Sequence, residues 1–404
     1  MSELRGVDTF LAIKEQVDLN TEATAGSLVA GDYLAFNNEA LSGQRQIVQS
    51  RAIRKQAVRS RIYTGNGTIS AGGQVEFTAS QVVLDKLLKL AFHTTTPVVG
   101  SGAGVGVSRK NYGVTAGGKL TPFTTFVGLG TGVGAYTRIF KGCKISSFSV
   151  SSKMSEFLTT TADIAGIDKR IVPGVSTAVY VDPDIEYAYL FDGAEVFIKA
   201  GDMTNLAQLP VSSFDLQIAH NLDVNDYRLG SIQRQGLAEG MVGVTGNFEI
   251  RPGKDSVNGT ALNLTGGVLN DAAFVEKLNL EGKYASLKIN FRDITRLVTV
   301  AKVVTLVGQT LTVDDAALVN VGDTVVVNGT TLAVTTKLGA VLTVVGTATA
   351  VATDKVEMNP VLTIDLPAIR LQEPSFNIKD ENALQGSAAF EAFDDVKFTH
   401  LLKN

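Results

Sequence analysis

The sequence predicts a mainly β protein with a few short helices, built from two tandem copies of one β unit and a small inserted all-β domain. Short Val, Thr and Ile runs, separated by Gly, Asn and Asp turn signals, recur along the chain. An eleven-residue stretch occurs twice. Hydrophobic residues make up 45% and charged residues 19%, which is typical of a packed globular chain and excludes a disordered one.

The repeated stretch comprises residues 67–77 and 240–250, which are 173 positions apart. Three positions are identical in the two copies: Gly67/Gly240, Gly73/Gly246 and Glu76/Glu249. In each copy, branched or aromatic residues alternate with small or polar ones, which is typical of a strand. A predicted helix follows each copy, at 80–92 and at 270–282. We therefore predict two copies of one unit.

The first unit is predicted to cover residues 41–210, after an N-terminal arm at 1–40 that has weak periodicity and a short strand near 33–36. Ser80 is a good N-cap for the first helix, and residues 97–134 read as a loop-rich region with two glycine clusters. Residues 141–166 read as a long β-hairpin.

The second unit is predicted at 211–301 and 357–404, interrupted by a small β-domain of about five strands at 302–356. Asn328-Gly329 between two Val/Thr runs is a strong hairpin signal within this insert. The returning strand of the first unit and its counterpart near 387–393 are offset by roughly 226 rather than 173. The excess of about 53 matches the length of the insert.

A cluster of cations lies between residues 45 and 61, with no acidic residue among them: Arg45, Arg51, Arg54, Lys55, Arg59 and Arg61. One interpretation is contact with nucleic acid. The other is contact with a neighbouring subunit or a solvated face. We favour the second, because no aromatic residue lies among the cations for base stacking and the net charge of the chain is −4.

The sequence offers no catalytic or cofactor motif, and we predict that the chain is not an enzyme and has no cofactor or metal. His93, His220 and His400 lie in separate regions without metal-ligand spacing, and the single Cys143 excludes an internal disulfide. No apolar run reaches the length of a membrane span. The N-terminus lacks the features of a signal peptide, so we expect synthesis in a cytoplasm.

Several segments in this order resemble the major tail tube proteins of long-tailed bacteriophages. They are the Arg-bearing strand before Gly67-Thr68-Ile69, the helix at 82–90, the hairpin at 142–150, and the segments 213–222, 240–250 and 390–394. The resemblance covers most of 35–300 and 360–404 but not the insert. It implies a structural virion protein whose units are β-sandwiches with a flanking helix, joined side by side into rings of six units that stack into a tube.

The resemblance implies that the chain is located in the virion tail, assembled in the host cytoplasm, and that its partners are other copies of itself. It also implies the tape-measure protein, the tail terminator, the baseplate proteins and the non-specific passage of double-stranded DNA, with no membrane. Because one chain carries two units, we predict a trimeric ring with pseudo-sixfold symmetry, and a hexamer as the alternative. As a hypothesis, Glu76 and Glu249 lie on or near strands that face the lumen.

The alternative class is a surface-binding module, such as a carbohydrate-binding β-protein. That class would have an exposed aromatic platform and a secretion signal. The insert between Phe291 and Phe376 has no aromatic residue, and no secretion signal is evident, which favours the structural interpretation.

Overall fold

The computed structural model describes residues 9–49, 64–101, 104, 106–114, 118–130, 135–174, 188–200, 207–251, 262–264, 267–269, 271–346, 348–377, 385–393 and 396–403. Strands dominate the described residues, with two α-helices, so the predicted mainly β class is confirmed. Neither of these two helices has the length and apolar composition needed to cross a bilayer.

The first half of the chain forms two layers of antiparallel strands. Its strands are β1 Thr9–Glu15, β2 Tyr33–Leu34, β3 Asn38–Glu39, β4 Ser42–Gln49, β5 Thr64–Thr78, β6 Thr94–Val99, β7 Val107–Gly113, β8 Phe123–Leu129, β9 Tyr136–Lys153, β10 Thr159–Gly166 and β11 Asp168–Pro173. One layer has the order β2–β1–β8–β9–β11 and the other β3/β4–β5–β10–β9. The long strand β9 belongs to both layers, because its two halves pair with different partners.

The second half repeats the two layers around an insert. Its strands are β12 Ala194–Ala200, β13 Ala207–Leu209, β14 Val211–Ala219, β15 Gly243–Ile250, β16 Leu262–Leu264, β17 Gly267–Leu269, β18 Ala285–Arg292, β19 Val298–Val307, β20 Thr310–Val313, β21 Thr324–Val327, β22 Thr330–Leu338, β23 Val341–Val345, β24 Lys355–Met358, β25 Val361–Leu371, β26 Ser375–Asn377, β27 Gln385–Ala392 and β28 Lys397–Lys403. One layer has the order β13–β12–β18–β25–β28 and is continued by β7 and β6 of the first half; the other is β14–β15–β27 followed by β25 and β26.

Two helices flank these layers: α1 Gln81–Ala91 and α2 Asp271–Leu280. The predicted cap of α1 is confirmed, because the Ser80 hydroxyl accepts a hydrogen bond from the backbone N–H of Val83 at 3.4 Å. The apolar face of α1 packs on β9 and β28 and is fully buried. Apolar side chains from both halves of the chain form one continuous core around it.

The register of the strands repeats between the two halves. In β5, Glu76 lies opposite Thr161 of β10. In β15, Glu249 lies opposite Ser387 of β27. The glutamates are 173 positions apart and their partners 226, which are the two offsets that the sequence predicts. The strand on the other side also repeats, because β3 pairs with β5 at Glu76 as β14 pairs with β15 at Glu249.

The repeated glycines lie where a neighbouring part of the chain approaches the backbone too closely for a side chain. A Cβ atom at each would meet a backbone carbonyl oxygen: Gly67 and Gln46 at 2.8 Å, Gly240 and Asn221 at 2.7 Å, Gly73 and Ala40 at 2.3 Å, and Gly246 and Asp215 at 2.6 Å. In both pairs the carbonyl residues are 175 positions apart. Each glycine is therefore required by the same contact in both halves.

Three sequence predictions differ from the structure. Residues 9–15 are not part of an arm, because β1 pairs along β8 and buries Leu11 to Ile13 in the sheet. The region 97–134 is less loop-rich than predicted, since β7 and β8 lie in it. The second repeated strand begins at Gly243 rather than Gly240, because the chain bends before it. We therefore begin the first unit at β1. We also count β12 and β13, predicted within the first unit at 41–210, in the second half, because β12 pairs with β18. The division into units remains a proposal.

The insert between β18 and β25 is a closed barrel with the strand order β19–β20–β23–β22–β21–β24. It has six strands rather than the predicted five or so. It begins at Val298, before the predicted start at residue 302, because β19 pairs with β24 from Val298 onward. The predicted Asn-Gly turn is present, since Asn328 has φ 49° and Gly329 φ 74°, as a two-residue hairpin turn requires.

The barrel is firmly docked on the body of the molecule. Val107 of β7 and Leu401 of β28 are part of the barrel's apolar core. At the same junction the Arg109 guanidinium, which is almost fully buried, donates to a carboxylate oxygen of Asp323 at 2.7 Å. Apolar packing and an ion pair thus fix the barrel to the layer that contains β28 and β7.

Candidate functional site

The two halves of the chain together form one continuous antiparallel sheet of eight strands. Its order is β3/β4–β5–β10–β9–β14–β15–β27–β26, with β3 and β4 counted as one strand. The pair β9–β14 joins the four strands of the first half to the four of the second. We call this the long sheet.

One face of the long sheet packs on the core and the other is polar. In β5, Val75 and Phe77 are buried while Gln74 is exposed and Glu76 is half-buried between them. In β15, Phe248 and Ile250 are buried while Glu249 is half-buried. Since side chains alternate along a strand, cross-strand register places most polar residues of the sheet on one face, while Ser152 and Thr160 are buried on the core face.

The polar face of the long sheet is acidic. Among the described residues of these strands, five carboxylates share this face with three cations: Glu76, Asp163, Asp215, Glu249 and Glu391 with Lys144, Lys153 and Arg370. Burial raises the pKa of Asp215, and the charge of Lys153 opposes that rise. The Ser147 hydroxyl donates to Asp163 at 2.5 Å across β9 and β10. Ser147, Ser149 and Ser151 line the middle of the face with hydroxyls.

The predicted lumen-side residues Glu76 and Glu249 therefore lie on one face of one sheet, at equivalent positions of the two halves. Sequence reasoning missed Asp163, Asp215 and Glu391. Strict alternation along their strands was the available signal, but it identifies a face only once the pairing of strands is known.

Both borders of the long sheet end without a further strand in the described part of the chain. There, β3 and β4 pair only with β5, and β26 pairs only with β27. Edge strands with unpaired N–H and C=O groups are templates for another strand. The two borders are thus complementary sites for strand addition.

The predicted cationic subunit contact is described only at its start. Arg45 lies exposed on the border strand β4, opposite Ile69 of β5. Arg51, Arg54, Lys55, Arg59 and Arg61 lie outside the described residues.

At the internal junction, the chain between β14 and β15 folds over the first half. The Tyr227 hydroxyl donates to the Ile69 carbonyl at 2.9 Å, and the Ile69 N–H donates to the Ile232 carbonyl at 2.8 Å. The Arg234 guanidinium, also buried, donates to the carbonyls of Ala71 and Gly166 at 3.3 and 2.9 Å. This connection, residues 220–242, closes the sheet where β10 ends; the sequence indicated only a turn there.

An ion pair holds the base of that connection. The buried Lys144 ammonium contacts a Glu239 carboxylate oxygen at 2.6 Å, and the other carboxylate oxygen lies 3.4 Å from Nε2 of His93. Within the described residues, no group of three or more His, Cys, Asp and Glu side chains is arranged to hold a metal ion. Burial raises the pKa of the Cys143 thiol to about 12, so this cysteine is a packed thiol at neutral pH.

The site thus combines two strand borders with an acidic face. No curated protein matches the chain. The sequence profile described as "Phage tail tube protein" matches residues 6–276, which is more than half of the chain. The chain therefore belongs to the phage tail tube protein family.

Proposed function

We propose that three copies of the chain close into a ring with pseudo-sixfold symmetry, and that stacked rings form the tube of a phage tail. The observation that carries this proposal is the long sheet, in which two equivalent runs of four strands end in borders that have no partner strand among the described residues. Each run is one tube unit, so one chain supplies two of the six units of a ring. Closure by other copies satisfies both borders.

The strand count supports a trimer over a hexamer. Three chains of eight strands give a barrel of 24 strands. With strands about 4.8 Å apart and tilted by about 40°, the backbone cylinder is about 50 Å across. Inward side chains leave roughly 40 Å, which admits a DNA duplex with its hydration. Six chains give about twice that diameter, far more than one duplex occupies.

The polar face of the long sheet lines the lumen in this proposal. Its carboxylates, including Glu76 and Glu249, give the wall a negative potential, which repels phosphates and allows DNA to slide. A cationic wall would hold the duplex and make its passage dependent on salt. The opposite, apolar face is already covered by the core.

The same proposal assigns the partners of the tube. During assembly in the host cytoplasm the tube surrounds the tape-measure protein, and its ends contact the tail terminator and baseplate proteins. During infection it conducts double-stranded DNA. The barrel at 298–358 lies on the layer away from the long sheet, so it projects outward, where its mass does not obstruct stacking.

Electron microscopy of the purified protein tests the assembly. We expect rings or tubes whose end-on averages have threefold outer features and a lumen of about 40 Å. Mass photometry should give a species of three chains. A ring of six chains, or a protein that stays monomeric at all concentrations, would refute the trimeric ring.

Charge reversal tests the lining. Phage that carry Glu76→Lys together with Glu249→Lys should assemble tails but eject DNA more slowly, with a delay that shrinks at high salt because screening weakens the attraction. Glu276→Lys, on the exposed side of α2, is the matched control and should eject normally. Equal ejection rates for the two phages would remove these glutamates from the lumen.

A further inference from the structure

We propose that neighbouring copies join by repeating the internal β9–β14 junction residue for residue, so that Ser42 of one copy faces Ser375 of the next and Ile47 covers Phe393. This inference rests on the proposed ring and adds the surface and the register of the contact. The partner is a second copy of this chain.

The register follows from the two halves of the long sheet. The border strand β3/β4 is equivalent to β14, since Asn38 and Ser213 lie opposite the equivalent residues Glu76 and Glu249. The other border, β26, is equivalent to the end of β9. Phe376 lies opposite Gly386 as Val150 lies opposite Thr160, with both residues of the pair shifted by 226.

The pairs between copies follow by shifting each residue of an internal pair to its equivalent, 175 positions earlier for β14 and 226 positions later for β9. Within the chain, Gln217 faces Ser149 and Leu216 faces Val150. The equivalent pairs between copies are Ser42 with Ser375, Leu41 with Phe376 and Ala40 with Asn377. Apolar side chains thus meet on the core face and polar ones on the lumen face, as at the internal junction. Pro374 would face Gly43, which removes at most one hydrogen bond, and an edge strand is where proline is tolerated.

A second observation points to the same contact, which is an apolar site that is buried in one half and more than half exposed in the other, where the Phe393 ring meets the edge of Tyr284 at a centroid distance of 5.8 Å. In the first half, Ile167 is only 3% exposed and packs with Leu222 and Leu237 from the 220–242 connection. In the second half the equivalent residue, 226 positions on, is Phe393, which is 54% exposed. Each residue also donates its backbone N–H to a carbonyl of the neighbouring strand. Ile167 donates to the Lys141 carbonyl, and Phe393 donates to the Ala368 carbonyl.

The residue that would cover Phe393 is also exposed. The pairs Val48–Gly65 and Asp223–Ala238 are equivalent positions of two hairpin stems. Ile47 is therefore equivalent to Leu222, and it is 63% exposed. Two apolar side chains whose counterparts pack in one cluster inside the chain are thus exposed on opposite borders of a single copy. Joining two copies in the internal register brings them together and removes both from water.

Disulfide trapping tests the register. In Ser42→Cys with Ser375→Cys, the two cysteines lie on opposite borders of one chain, about 30 Å apart across seven strand spacings, so they can bond only between copies. Directly opposite residues have the Cα separation that a disulfide needs. Oxidation of assembled protein should give covalent dimers and trimers on non-reducing gels. Cys143 stays in place, because its buried thiol does not compete.

The matched control moves one cysteine by two residues on the same strand face. In Gln44→Cys with Ser375→Cys the diagonal separation is about 7–8 Å, too long for a disulfide, so at least about tenfold less cross-linking is expected. Rings that cross-link equally in both variants, or only in the control, would overturn the register and leave the ring intact. Absence of rings in wild type and variants alike would instead refute the proposed function.

A charge at the covered site gives an independent test. Ile47→Asp and Phe393→Asp should each weaken association by more than about tenfold, because the junction would bury an unpaired carboxylate. Both variants should fold, since these side chains are exposed in the single chain. Val351→Asp on the insert is the control and should assemble as wild type does. Normal assembly of both junction variants would remove the Ile47–Phe393 contact from the proposal.

Discussion

Acidification should destabilise the chain through two histidines. The side chains of His220 and His400 are fully buried, and burial lowers the pKa of each to about 4, from about 6.5 in the unfolded chain. Because the folded pKa is below the unfolded one, the unfolded chain takes up protons first as the pH falls. Stability is therefore fully present above pH 6.5 and is lost progressively towards pH 4.

The magnitude follows from the two pKa values. One proton bound only by the unfolded chain changes the unfolding free energy by about 1.4 kcal/mol per pH unit. Because each unfolded-state histidine is only half protonated at pH 6.5, each removes about 1.5 kcal/mol between pH 6.5 and 5.0, and the two together remove about 3 kcal/mol. Burial raises the pKa of Asp215 and Asp365, which acts in the opposite direction at lower pH.

Urea unfolding of wild type and His400→Gln at pH 7.5, 6.5, 5.5 and 5.0 measures the effect. The glutamine variant is less stable at pH 7.5, since it disturbs the 2.8 Å contact of His400 with the Tyr189 hydroxyl. Its loss of stability between pH 6.5 and 5.0 should nevertheless be smaller than that of wild type by about 1.5 kcal/mol, which is the contribution of one histidine. The aspartates titrate equally in both proteins and cancel in the comparison. Equal slopes in the two proteins would show that His400 is not held neutral by burial.

Three further predictions concern stability and reactivity. Gly246→Ala should cost about 2–4 kcal/mol, because its Cβ would meet both a ring and a carbonyl, whereas Gly243→Ala has open space and should lie within about 0.5 kcal/mol of wild type; thermal unfolding measures both. Arg109→Met should leave the Asp323 carboxylate without its guanidinium, cost about 3 kcal/mol and release the insert to limited proteolysis. Cys143 should resist thiol reagents in the native protein and react on unfolding, since its thiol is buried.

Local patterns predicted those parts of the fold that depend on near neighbours in sequence. The repeat with its two offsets, the cap at Ser80 and the turn at Asn328 were all readable, because each needs particular residues at fixed spacing. The arm prediction did not anticipate β1, since β1 has the short sequence of any strand and its place is set by pairing with β8, 108 to 120 positions away. Such long-range pairing cannot be predicted from the residue pattern of a short sequence segment.

The candidate site was predictable only in outline. Glu76 and Glu249 were found because the repeat marks equivalent positions, and the structure puts them on one face. The remaining carboxylates of that face required the register of eight strands. The burial of Ile167 under the 220–242 connection was not predictable, because apolar residues in a polar-looking loop have no periodicity that identifies what they contact.

The insert separates β18 from β25 in the second half, while the equivalent strands β8 and β9 of the first half are only six residues apart in sequence. In the proposed ring the inner wall repeats every 60°, but protrusions on the outside recur every 120°. A ring could therefore settle on the one below in two orientations that its interior does not distinguish. Any preference between these two orientations has to come from contacts of the protruding inserts. The insert would then determine the rotation of each ring relative to the next, and so the helical twist of the tail.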